Sequence, residues 1–187
     1  EAAPTTCQVV SGGVKFIDLN QLDSSDNLPA AQNVETTFGC MSDVGDIGCG
    51  FEQTLEASYK ALKDASIDDN AGFLRNDAIL AVVYVTDEDD CSAPGTSDIY
   101  NPMPTTPPPD GLGLLNSFRC NKFGHVCTDP SSGNTTFVPY GASAGQLENC
   151  RPASESEGGK LYDVERYINL FTKSKAQGGI KTTPDDV

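Results

Sequence analysis

The 187-residue chain has no tryptophan, a single histidine (His125) and no Cys-x-x-Cys pair. Each absence removes a class of function. Without tryptophan there is no ready aromatic lining for a saccharide cleft. The densest carboxylates, Asp87 to Asp90, are neighbours in one turn, whereas glycoside hydrolysis wants two carboxyls opposed across about 5–10 Å. A Ser-His-Asp or Cys-His machine could rest only on His125, which lies in a Pro-rich stretch with no Gly-x-Ser-x-Gly elbow. The missing Cys-x-x-Cys speaks against zinc ribbons and thioredoxin-like redox chemistry. His125 between Cys120 and Cys127 fits none of the usual tetrahedral zinc spacings.

Basic residues are scarce, 12 against 27 acidic, for a net charge of −15. Nucleic acids and anionic membrane surfaces both require a basic face, so neither is expected as a partner. No apolar run is long enough to span a bilayer. No charged-then-apolar signal peptide opens the chain, and EAAPTTC reads as the start of a mature or excised piece. The expectation is a non-enzymatic chain without a transmembrane segment.

Cysteine is what the sequence has in excess. Cys7, Cys40, Cys49, Cys91, Cys120, Cys127 and Cys150 are all disulfide candidates, and such a framework belongs to an oxidising compartment. The odd count leaves one thiol free or paired outside the sequence, and Cys7 with Cys40 is the expected N-terminal pair. An extracellular or cell-surface location follows, the outer membrane or periplasm if the source is Gram-negative.

The stretch that organises the rest is Ala78 to Cys91, AILAVVYVTDEDDC. Its first eight residues are uncharged and mostly apolar, which predicts a strand buried on both faces, as in the middle of a parallel sheet. It runs without a spacer into Thr86-Asp87-Glu88-Asp89-Asp90. Ligands of open α/β sheets bind beyond the carboxyl ends of strands, so this edge points to a cation or a cationic group. Glu88, Asp89 and Asp90 are read as solvated or capping residues. The stretch lacks EF-hand register.

Around it, Val14–Ile17 and Val34–Phe38 are possible strands. Phe51, Leu55, Tyr59 and Leu62 share one helical face over about 51–65, with Glu52 and Glu56 near its positive end and Glu56 spaced to pair with Lys60. Residues 91–150 hold eight of the 12 prolines and four cysteines, which could close on themselves in three ways. This segment reads as a long surface insertion stapled by disulfides in place of its own core. Asn134-Thr135-Thr136 has the form of a glycosylation sequon. A second helix is predicted over about 163–175, with Leu161, Val164, Ile168 and Phe171 inward and Gly178-Gly179 ending it.

CGFEQTLEASYKAL followed by FLRNDAILAVVYVTDEDDCS resembles the von Willebrand factor type A (vWA) domains of cysteine-rich surface lipoproteins in myxobacteria and related bacteria. The similarity is specific over about 39–92 and extends to 160–187. It implies an α/β, doubly wound, Rossmann-like sheet, here incomplete at both ends, forming one domain over 1–187 with the 91–150 insertion over its ligand edge. It further implies a divalent-metal site built from three loops. Asp87 matches the Asp that closes a central strand, and Asp46 falls near the Thr expected before the central helix. The first motif, Asp-x-Ser-x-Ser, is absent; Asp23-Ser24-Ser25-Asp26 has the residue types without the spacing. The implied cofactor is Mg²⁺ or Ca²⁺ on Asp87 and Asp46. The implied function is a surface binding or adhesion module for a protein or matrix ligand. A structural subunit pairing its sheet edges with neighbouring chains is the alternative, with a metal-assisted hydrolase behind it.

Overall fold

The computed structural model describes residues 38–39, 42–43, 50–63, 72–75, 78–103, 105–107, 111–139 and 146–181. The expected strand at 14–17, the loop with Asp46, and Cys7, Cys40 and Cys49 lie outside them. So does 34–38 apart from Phe38, which is helical and exposed. The chain divides into two compact units, one of residues 1–49 and 64–81, the other of 50–63 and 82–187. Almost all described structure belongs to the second.

That unit mixes helices with one small sheet. In chain order it contains α1 (Thr54–Lys63), α2 (Phe118–Gly124), β1 (His125–Thr128), β2 (Thr135–Phe137), β3 (Glu148–Pro152) and α3 (Glu165–Thr172), with three single-turn 3-10 helices among the described residues. The sheet is antiparallel in the order β2-β1-β3. Val126 stands opposite Phe137 on one side and Arg151 on the other. The α/β character expected from the sequence is present. The described sheet, however, lies inside the 91–150 segment and is antiparallel, because short strands joined by a turn of Asp129–Asn134 can pair only in that sense.

The central expectation is corrected. Residues 79–86 belong to no strand and are largely exposed: Ile79 is fully exposed, Val83 80% and Val85 89%. An apolar run becomes a buried strand only when neighbouring strands satisfy its N–H and C=O groups. No described residue forms a ladder with Val82–Val85.

The core lies elsewhere. Phe51, Cys91, Ala93, Ile99 and Cys120 are buried together, with Tyr100, Phe123 and Leu161 packed on them. Phe51 and Tyr100 meet edge to face at 5.5 Å. Most of these residues come from the segment expected to be a coreless surface insertion. Two disulfides staple it, Cys91–Cys120 and Cys127–Cys150, so its four cysteines do close on themselves. Arg119, fully buried, organises the Pro-rich chain around it. Its guanidinium donates to the carbonyls of Ile99, Asn101, Gly113 and Leu114 at 2.6–3.0 Å.

Both predicted helices form, shorter than expected. Phe51 precedes α1 rather than lying on it, and the most buried residue of α1 is Glu56. On α3 the buried side chains are Tyr167 and Leu170, while Val164 and Ile168 face solvent. The inward face is rotated from the one that hydrophobicity alone selects, because Tyr167 is drawn in by Glu56. α3 ends at Lys173, before Gly178-Gly179.

One short motif occurs twice. In Ser154-Glu155-Ser156-Glu157-Gly158-Gly159 and Ser174-Lys175-Ala176-Gln177-Gly178-Gly179, the fourth side chain reaches back to the serine N–H, at 3.0 and 3.3 Å. Each turn ends on a left-handed glycine, Gly158 at φ +90° and Gly178 at φ +93°. A side chain at either position would be strained.

Candidate functional site

The acidic loop is fixed by what it does for α1. The first N–H groups of a helix have no partners within it. Here they are capped from far along the chain: Asp90 Oδ1 accepts from Leu55 N at 3.0 Å and from Thr54 Oγ1 at 3.1 Å, and Ser92 Oγ accepts from Glu56 N at 2.9 Å. Asp90 also accepts from Ser92 N and Ser92 Oγ, both at 2.9 Å. Cys91 N donates to Glu52 O, and the buried Cys91–Cys120 disulfide ties the same point to α2. A carboxylate at the positive end of a helix is favourable, and the capping role read for Asp90 is what the structure shows.

The three acids before Asp90 face outward. Thr86, Asp87, Glu88 and Asp89 form one wall of an open cleft of about 600 Å³, and Ser117, Phe118 and Asn121 form the other. Asn121 Nδ2 donates to Asp89 Oδ2 at 3.2 Å, and Thr86 Oγ1 donates to Glu52 Oε2 at 2.5 Å. The carboxylates of Asp87 and Glu88 make no hydrogen bond or ion pair with any described residue and are exposed. Sequence reasoning placed Asp87 at this edge but missed Ser117, Phe118 and Asn121. Their signal was proximity to Cys120, once its pairing with Cys91 is known.

A divalent ion on Asp87 has to be tested against the donors at hand. Mg²⁺ and Ca²⁺ take six or more oxygens, several of them from protein. Among the described residues no three His, Cys, Asp or Glu side chains converge, and Asp90 is committed to α1. Asp46 lies outside the described residues. The described donors therefore do not make up a divalent-metal site.

Behind the cap is a buried polar cluster. Glu56 is 5% exposed and accepts from Arg166 Nε and Nη2, each at 3.0 Å, and from Tyr167 Oη at 3.1 Å. Arg166 lies over the Tyr59 ring at 3.6 Å and near that of Tyr162 at 4.4 Å. Burial pushes the Tyr167 phenol well above its ordinary pKa, a hydrogen bond with Ser92 opposes this, and the Glu56 carboxylate adds to the rise. This cluster joins α1 to α3. Glu56 does not pair with Lys60.

His125 opens β1, half-buried, with Nδ1 at 3.0 Å from Asn121 O. Cys120 and Cys127 on either side are both in disulfides, so neither offers a thiolate to zinc. Asn134 of the sequon is exposed beside the β1–β2 turn. Phe137 packs on Phe123 of α2 at 6.4 Å; Tyr140 lies outside the described residues.

Comparison with protein-family models, with curated proteins and with solved structures finds no match to this chain. Among the described residues no helix is long and apolar enough to cross a membrane.

Proposed function

We propose that this chain is an extracytoplasmic binding module whose cleft between the Thr86–Asp89 loop and the start of α2 takes a cationic group of a protein or matrix partner. The observation that carries the reading is the pair of unpaired, solvent-facing carboxylates, Asp87 and Glu88, on the wall of a cleft with an aromatic residue, Phe118, opposite. A lysine or arginine side chain suits that arrangement, with a charged tip for the carboxylates and an apolar stem for the ring. Asp90, the Cys91–Cys120 disulfide and α1 hold the loop rigidly from behind, which lowers the ordering cost of binding. The two disulfides support an oxidising compartment. The resemblance to vWA domains over 39–92 supports a surface-binding role at the same edge.

The test is calorimetric titration with a lysine-rich peptide at low and at physiological ionic strength. It compares the wild type, the double variant Asp87→Asn/Glu88→Gln, and a control, Glu148→Gln, that removes an exposed acid on β3. The expected result is saturable binding, weakened by salt, with about a tenfold loss in the double variant, a scale typical of one desolvated charge contact. Equal losses in the double variant and the control would mean that the peptide reads only the overall charge, and the site assignment would fall.

A further inference from the structure

The segment before the cleft has a second unmet requirement. Val82 to Val85 run extended beside α1, and exposure alternates along them: Val82 37%, Val83 80%, Tyr84 41%, Val85 89%. Tyr84 Oη lies 2.8 Å from Ser58 Oγ and Thr86 donates to Glu52, so the even-numbered side chains face α1. Val83 and Val85 point away. This is the period-2 alternation of a strand. Yet none of the backbone N–H or C=O groups of Val82–Val85 bonds to another backbone group among the described residues. The segment has the side-chain order of a strand and the open hydrogen-bonding edge of one that lacks a neighbour.

We infer that Val82–Val85 is a docking edge for an extended strand of the partner polypeptide, apolar or β-branched on alternate residues and carrying lysine or arginine where it passes Asp87 and Glu88. This is strand addition to an open edge: main-chain bonds give affinity and the side chains at its end give specificity. It rests on the reading of the Asp87 cleft as a site for a cationic group, and extends that site along the chain. Charge decides between occupants. The edge runs directly into Asp87-Glu88-Asp89, and the chain carries a net charge of −15. A second copy paired in parallel register would set like carboxylates opposite one another, which is destabilising, and two such chains repel at long range. A basic strand meets neither obstacle.

The experiment uses the whole chain and a synthetic peptide of alternating valine and threonine ending in two lysines. Affinity and amide hydrogen exchange are measured for the wild type, Val83→Pro, Val85→Pro and Asp87→Asn/Glu88→Gln. Proline removes an N–H and is tolerated where none is bonded, so the proline variants should fold, as circular dichroism will report. The wild type should show exchange at Val82–Val85 slowed about tenfold or more on binding, as for amides drawn into a ladder. At least one proline variant should lose most of the affinity, and a peptide ending in two glutamates should fail to bind. Should the proline variants bind like the wild type while the double carboxylate variant does not, the cleft reading stands and the strand edge is overturned. Protection of Val82–Val85 that rises with protein concentration in the absence of peptide would instead make a second copy the occupant.

Discussion

Glu56 and Arg166, 110 residues apart in sequence, form a two-point ion pair with both contacts at 3.0 Å, and Tyr167 closes it from the adjoining position on α3. The carboxylate is almost fully buried while Arg166 keeps about a third of its side chain in solvent. This pair fixes α3 against α1, and thereby braces the helix whose N-terminus the acidic loop caps.

Removing one partner of such a pair strands the other. Glu56→Ala should destabilise the chain by about 3 kcal/mol, the lower end for breaking a buried pair because Arg166 can still reach water. Urea unfolding of Glu56→Ala, Arg166→Met and the double variant measures it. The double variant should be less destabilised than the sum of the single ones; simple additivity would show that the two residues do not act as a unit.

Arg119 is the second buried charge, and carbonyl oxygens surround it. Burial lowers its pKa, with Asp98 opposing from nearby. Arg119→Met keeps the bulk but leaves four carbonyls without their donor, at about 1–3 kcal/mol for each one left buried and unsatisfied. Proteolysis of the 98–114 stretch should become faster in this variant while α3 stays protected. Unchanged cleavage would mean that the disulfides alone hold the stretch.

The cap supplied by Asp90 makes a smaller and separable prediction. Asp90→Ala should cost about 1–2 kcal/mol, as for loss of a strong N-cap, and Asp90→Asn should recover much of it by keeping an acceptor. Equal effects of the two substitutions would show that the charge, rather than the hydrogen bonds, is what α1 requires.

Glu157 gives a pH signature. Hydrogen bonds from Arg151 first, then from the Ser154 backbone and hydroxyl, lower its pKa from 4.5 to about 2. A carboxylate whose folded pKa is depressed contributes stability that is fully present above its unfolded pKa and is lost as pH falls through the folded one. The Ser154–Gly158 turn should therefore hold at pH 5 and loosen between about pH 4.5 and pH 2. The Glu157 side-chain carbon shift, followed by NMR, should have its midpoint near the lower value. A midpoint at the ordinary carboxylate pKa would remove the Arg151–Glu157 pair from the account.

How far the sequence could be read depended on the range of the interactions. That the four cysteines from Cys91 to Cys150 pair among themselves was legible, since they crowd a Pro-rich stretch. Which pairs form was not, since spacing leaves three connectivities open. Asp90 was legible as a capping residue from its type and place; that it caps α1, 35 residues upstream of it at Leu55, depends on a tertiary fold. The inward face of α3 was misjudged because periodicity weighs Ile168 and Val164 by hydrophobicity and cannot see that Glu56 draws Tyr167 inward. The apolar run at 78–85 was misjudged for a related reason: burial of a strand belongs to its neighbours, and the described residues place none beside Val82–Val85.

The most direct test of the cleft reading is an NMR titration of the isotope-labelled chain with a lysine-rich peptide, then separately with Ca²⁺ and Mg²⁺, following each backbone amide. Organic-cation binding predicts peptide-induced shifts concentrated at Thr86–Asp89 and Ser117–Asn121 and abolished in Asp87→Asn/Glu88→Gln, with little response there to either metal. Shifts scattered over the acidic surface, or a saturable metal response at Asp87 without a peptide response, would contradict it.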